Sequence, residues 1–213
     1  QRDLETLVRR ILSNPVSRAV AYRMVCSFAR TELLGGVTTI RTVGGLDTFD
    51  TRLRDEIRAG RRIGPRVLAA NEAISVPGGH MAGSVAIAAR TVDEALAQVD
   101  AVHAQGADLV KLMITGGVMD ATERGMPGEV KMPAEMVRAV CERAHAHGIP
   151  VVLGNDTSCQ WVAQYDFWRE LCYFHEYAGA SNACALYCAT GQSARMAGLG
   201  DVTGTLRPGL CAD

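Results

Sequence analysis

No run of apolar residues in the chain approaches the roughly 18 needed to cross a bilayer, and no long basic run is present to form a nucleic-acid surface. The formal net charge is only -1, with 22 Lys and Arg interspersed among 23 Asp and Glu. Neither a membrane nor a polyanion is expected as a partner. The seven cysteines are odd in number and contain no CxxC pair, so they do not compose a disulfide framework. Free buried thiols are the expectation, with Cys184 and Cys188 sharing a helix face. Both Gly-rich phosphate fingerprints, GxGxxG and GxxxxGK[ST], are missing, which removes the usual nucleotide-binding folds. The first residues, Gln1 to Arg10, are charged rather than signal-like, so a soluble, cytoplasmic protein is expected.

What is present describes an ordinary globular chain: 213 residues, 48% hydrophobic and 21% charged. It is long enough to bury a sizeable core. Taken in order, it alternates. Apolar Val20, Met24, Val25 and Phe28 recur at three- and four-residue spacing and predict a helix over Val16 to Leu34, stopped by Gly35-Gly36. The β-branched run from Val37 to Ile40 predicts a strand turning at Gly44-Gly45. A polar-faced helix from Asp50 to Ala59, a strand from Arg66 to Ala70 and a helix opened by the Thr91/Glu94 capping box come next. A fourth helix over Pro133 to Ala146 leads into a strand over Ile149 to Leu153. Strands separated by single helices, with glycine turns after the strands, predict right-handed βα units and a parallel sheet. Polar residues collect where these strands end, at Arg41, Asn71, Lys111 and Asn155-Asp156, and that end is where α/β folds build their sites. The stretch from Asn71 to Arg90 is expected to be a long loop over such a site.

The stretch of greatest interest is Ala107 to Gly117, which reads as a short buried strand closed by glycines. A period of two places Leu109, Lys111 and Met113 on one face and Val110, Leu112 and Ile114 on the other, so the ammonium has no polar face to lie on. A buried lysine needs a partner or a chemical change at its nitrogen.

Gly36-Val-Thr-Thr-Ile-Arg-Thr-Val-Gly-Gly45, Gly64-Pro-Arg-Val-Leu-Ala-Ala70 with Gly78-Gly-His80, Ala107 to Gly117, and Leu153-Gly-Asn-Asp156 resemble successive signatures of the metal-dependent amidohydrolase superfamily. The likeness is to its imidazolonepropionase-like and Xaa-Pro or Xaa-Arg dipeptidase-like branch. The tail from Ala185 to Asp213 is similar to the segment in which that family leaves its barrel for a small β-sandwich. The resemblance implies an α/β fold of (β/α)8 TIM-barrel type, incomplete here, with residues 1–200 as the partial barrel and 201–213 as the lead into the sandwich. It implies hydrolysis of an amide or dipeptide C–N bond by metal-activated water. Lys111 would be a CO2-derived carbamate bridging divalent metals, usually zinc. Asp156 would be both metal ligand and proton shuttle. His80, Gly79, Gly116 and Gly117 would face the substrate.

The family's first-strand His-x-His pair has no counterpart, since no histidine precedes Gly36. The histidines expected at the ends of strands five and six are missing as well, because Pro150-Val151-Val152 runs directly into Leu153-Gly154-Asn155-Asp156. A complete barrel takes roughly 250 residues. His145 and His147 are spaced as His-x-His, but on a helix end, where i and i+2 point apart. His103 reads as a surface residue and His175 as a core or groove residue. Ser158 and Cys159 lack a nucleophile-elbow pattern. Two readings stay open: a metal-dependent amide hydrolase completed by other segments or a second subunit, and a shortened, non-catalytic relative serving binding or assembly. An incomplete barrel would leave open sheet edges and an exposed apolar face, and so predicts a homo-oligomer.

Overall fold

The computed structural model describes residues 2–117, 128–154 and 167–211, which form two compact units, Gln1–Met132 and Pro133–Asp213. The first unit opens with α1 (Arg2–Ser13) and α2 (Pro15–Leu34). The break between them is local chemistry: Asn14 Oδ1 accepts hydrogen bonds from Val16 N at 2.9 Å and Ser17 N at 3.3 Å, and Pro15 starts the new helix where a missing N–H costs nothing. Then come β1 (Thr39–Arg41), α3 (Phe49–Arg58), β2 (Arg66–Leu68), β3 (Ala73–Ser75), β4 (Ala86–Ala88) and α4 (Val92–Ala104). Thr91 Oγ1 caps α4 by accepting from Glu94 N at 3.2 Å. The returning Glu94 carboxylate takes the N–H of Arg90 rather than that of Thr91, one residue beyond the usual box.

The first two strands pair in parallel as the alternation predicts, and a second parallel pair arises where none was expected. β1 lies against β2 with Ile40 opposite Val67, and β3 lies against β4 with Ile74 opposite Ile87. Among the described residues these are two separate two-stranded sheets and no closed barrel. Three expectations change here. The stretch from Asn71 to Arg90 is not a long loop, since it contains β3 and β4. The lysine stretch makes a single parallel bridge, Ile74 to Leu112, with Ile74 N donating to Lys111 O and Met113 N to Ile74 O, both at 2.9 Å. Further along, Thr115 makes an antiparallel bridge to Val130, so the stretch is bridged at isolated points rather than laddered. Residues 149–154 are irregular, with no ladder among the described residues, and Pro150 removes one of the donors a ladder would use.

The core of the first unit is built where α2 and α3 cover β1 and β2. Tyr22, Cys26, Ala29, Phe49, Leu53, Val67 and Ala69 are buried together, with the Tyr22 and Phe49 rings edge to face at 5.3 Å. Arg52 lies over the Tyr22 ring, 3.9 Å from its centre, and shares Glu56 with Arg62. Burial alone would push the Glu56 carboxyl up, but hydrogen bonds from Arg62 at 2.7 Å and Arg52 at 2.9 Å overcome it and hold the group at about 2. A carboxylate held lower in the folded than in the unfolded state stabilises above its ordinary value of 4.5, and that stability drains as pH falls from there toward about 2. Urea unfolding at pH 5 and pH 3 is expected to show a loss between the two that Glu56→Gln largely removes. An equal loss in the variant would refute this account.

The second unit contains α5 (Ala134–Ala146), α6 (Trp168–Ala178) and α7 (Asn182–Tyr187). Helix α7 runs through a π-helical turn, Cys188–Gln192, into the short α8 (Ser193–Met196). Cys188 is buried on that turn, while Cys184, one turn earlier, is exposed. Residues 201–211 form turns, with Cys211 N bonded to Val202 O at 2.8 Å.

Candidate functional site

Three layers of polar structure gather at the ends of β1, β2, β3 and the lysine stretch. The first is a buried network around Asn71. This fully buried residue has φ +59, a conformation that asparagine tolerates better than most side chains. Its carbonyl accepts from Gly45 N at 2.8 Å and its N–H donates to Asp50 Oδ2 at 3.1 Å. Its side chain accepts from Thr51 N and donates to Thr51 Oγ1 and to Gln105 Oε1, the last at 2.9 Å. Burial pushes the Asp50 carboxyl above its ordinary range, opposed by hydrogen bonds from Thr42 and the Asn71 N–H. A Cβ at Gly45 would lie 2.5 Å from Asp50 Oδ2, so glycine is required where the turn crosses the carboxylate.

The second layer sets the start of the lysine stretch. Asp108 Oδ2 accepts from Ala69 N at 2.8 Å and from the buried Arg54 Nη1 at 2.8 Å, and the same Nη1 reaches the Gly106 carbonyl at 2.6 Å. Helix α3, the end of β2 and the turn before Lys111 are thereby tied at one point.

The third layer holds the residues expected from the sequence. Lys111 is half-buried, fixed through its carbonyl to β3. Two neighbours on its opposite face, Leu112 and Ile114, are half-buried too, so the stretch is less enclosed than its apolar composition implies. Ser75, at the end of β3, is fully buried with a hydroxyl that has no hydrogen-bond partner, and a Cβ at Gly79 would come within 2.6 Å of its oxygen. Gly79 is buried and His80 half-buried just beyond. The His80 ring sits against the backbone of Gly117: a Cβ there would be 2.1 Å from Nδ1 and 2.4 Å from Cε1. Gly116 N donates to Glu129 O at 2.8 Å and Gly116 O accepts from Gly128 N, which holds this glycine turn in place.

The structure therefore brings Gly79, His80, Gly116 and Gly117 together. Asp156 lies outside the described residues. Among the described residues no three of histidine, cysteine, aspartate and glutamate converge to hold a metal ion, so these residues do not by themselves fit one. His145 closes α5 and His147 is its C-cap, as their spacing predicts. His103 stands exposed in the last turn of α4. His175 differs from its expected core or groove position: it is exposed, with Nδ1 2.8 Å from the Ala180 carbonyl. Asn71 is legible in the sequence only as a strand-end residue. Asp50, Arg54 and Asp108 carry no local signal of their roles, because their partners are far away in the chain. No helix among the described residues is long and apolar enough to cross a membrane.

A family model described as the amidohydrolase family matches residues 2–154. Among solved structures, a candidate prolidase from Bifidobacterium longum shares 28% identity at TM-score 0.52, with 87% of this chain and 68% of that chain covered. An amidohydrolase shares 18% identity at TM-score 0.58, covering 97% of this chain and 74% of that one. A Xaa-Pro dipeptidase with methionine bound in its active site shares 19% identity at TM-score 0.54, covering 94% and 73%. No curated protein matches by sequence.

Proposed function

Because the chain belongs to the amidohydrolase family, we propose that it hydrolyses the amide or peptide C–N bond of a small substrate of dipeptide type. The prolidase and Xaa-Pro dipeptidase likenesses support that substrate class. The observation that carries the reading is the meeting of the Gly78-Gly79-His80 turn with Gly116-Gly117 at the end of the lysine stretch. It sets an imidazole beside bare backbone at the end of a parallel pair, where a small polar substrate can be bonded by both.

Lys111 and Asp156 are the ligands this reading requires. The Lys111 ammonium would lose one proton, and the free amine would add CO2 with loss of a second, giving a carbamate whose anionic oxygens would suit a divalent metal, zinc by resemblance. Asp156 carries the proton from the attacking water to the leaving amine. The rest of the donor set has to come from outside the described residues or from a second subunit, since the described residues do not complete it.

The test is a panel of Xaa-Pro and Xaa-Arg dipeptides and N-acyl amino acids, incubated with protein purified in zinc and bicarbonate, with release of free amino acid followed by mass spectrometry. Turnover of at least one dipeptide is the expected result. Gly117→Ala is expected to lower kcat/KM by roughly 10- to 100-fold by displacing the His80 ring, with the circular dichroism spectrum unchanged. Silence across the whole panel from a folded, metal-loaded protein would overturn the reading and favour the non-catalytic alternative.

A further inference from the structure

Helix α2 is apolar on two opposite faces. One face is spent on the core, through Tyr22, Cys26 and Ala29. The other carries Val16, Val20, Met24 and Phe28 at four-residue intervals, and they stand in the open: Val20 is 51% exposed, Met24 52% and Phe28 62%. Ser27 and Thr31 lie alongside them, and no charged residue falls between, Arg23 and Arg30 lying on one flank and Glu32 on the other. A helix with water on its outer side ordinarily places charge there, whereas one apolar on both sides has two packing partners.

We infer that this outer face of α2 is the contact between two copies of the chain, packed about a two-fold axis near Met24. A row of residues at i, i+4, i+8 is a ridge, and the i±4n ridges of two helices interdigitate at about −50°, the commonest helix crossing in globular proteins. The ridge is therefore complementary to its own copy, as an isologous contact demands. The small Ser27 and Thr31 beside it supply the groove. The exposed apolar area along the row, with Leu34 at its end, is roughly 500 Å² per copy, at the upper limit of what a monomer leaves uncovered. Two such faces bury up to about 1,000 Å², the lower bound for a specific interface, so the dimer expected is a reversible one. An uncharged centre means that no ion has to be desolvated.

Sedimentation velocity of the full chain at tens of micromolar is expected to give a dimer of the 22.7 kDa chain. Val20→Glu with Met24→Glu is expected to give a monomer, and Phe28→Asp to weaken the dimer by at least tenfold in Kd. Because these side chains point away from the core, circular dichroism and Tm measured at low protein concentration should match the wild type. A wild type that is monomeric at this concentration overturns the inference, meaning that another part of the chain or a different partner covers the face. A dimer that survives both variants overturns it as well. The outcome is independent of whether any dipeptide is cleaved.

Discussion

Lys111→Ala is expected to reduce amide hydrolysis by on the order of 10²- to 10⁴-fold, the scale of losing one group that acts on the reacting atoms. The fold should survive. The lysine is half-buried and its attachment to β3 runs through its main chain, which alanine retains: Ile74 N still finds residue 111 O, and Met113 N still finds Ile74 O. The decisive companion measurement is metal per chain by mass spectrometry on protein prepared with zinc and bicarbonate. About one or two metals in the wild type and none in the variant would place Lys111 among the ligands. Lys111→Arg is a useful second variant, because it keeps the length and charge but does not form the carbamate. If Lys111→Arg retains both metal and turnover, the carbamate role is wrong.

The second large effect is structural. Arg54→Met is expected to cost about 3 kcal/mol in unfolding free energy, the lower end of the range for stripping one partner from a buried ion pair. The guanidinium is buried to all but 8% of its side chain, and its removal takes a charged donor from the Gly106 carbonyl and leaves Asp108 Oδ2 with the Ala69 N–H alone. Arg58, 3.9 Å from the other Asp108 oxygen, limits the damage. Arg54→Lys should recover only part, since a compact ammonium does not reproduce the fork that spans carbonyl, Asp55 and Asp108 at once. Equilibrium urea denaturation of the three proteins measures this. A change below about 1 kcal/mol for Arg54→Met, the scale of an exposed pair, would mean that the clamp is solvated in solution.

Much of the fold was legible where the signal is local. The four-residue recurrence and the Gly35-Gly36 stop give α2 to within a residue, and Thr91 caps α4 as its spacing predicts. Leu7, Val8, Ile11 and Leu12 also recur at helical spacing, so α1 was present in the pattern but hidden among the charges around it. The strands β3 and β4 were not legible. Ala73-Ile74-Ser75 and Ala86-Ile87-Ala88 have weak intrinsic strand preference, and what makes them strands is pairing with each other and with the lysine stretch. The candidate site divides in the same way. The motif glycines and His80 could be found because close backbone approach demands glycine at fixed places. Asp108 could not, because a carboxylate just before an apolar run reads as a turn until Arg54 is folded against it.

The clamp at Asp108 also acts as a ruler. It pins the chain at one end of the lysine stretch, while the bonds between Ile74 and Lys111 pin it a few residues further on. The spacing between the two is therefore fixed. Deleting or inserting a single residue there would turn the lysine to the opposite side of the strand with every hydrophobic residue still present. The side to which Lys111 points is thus set by the length of this segment as well as by its side chains.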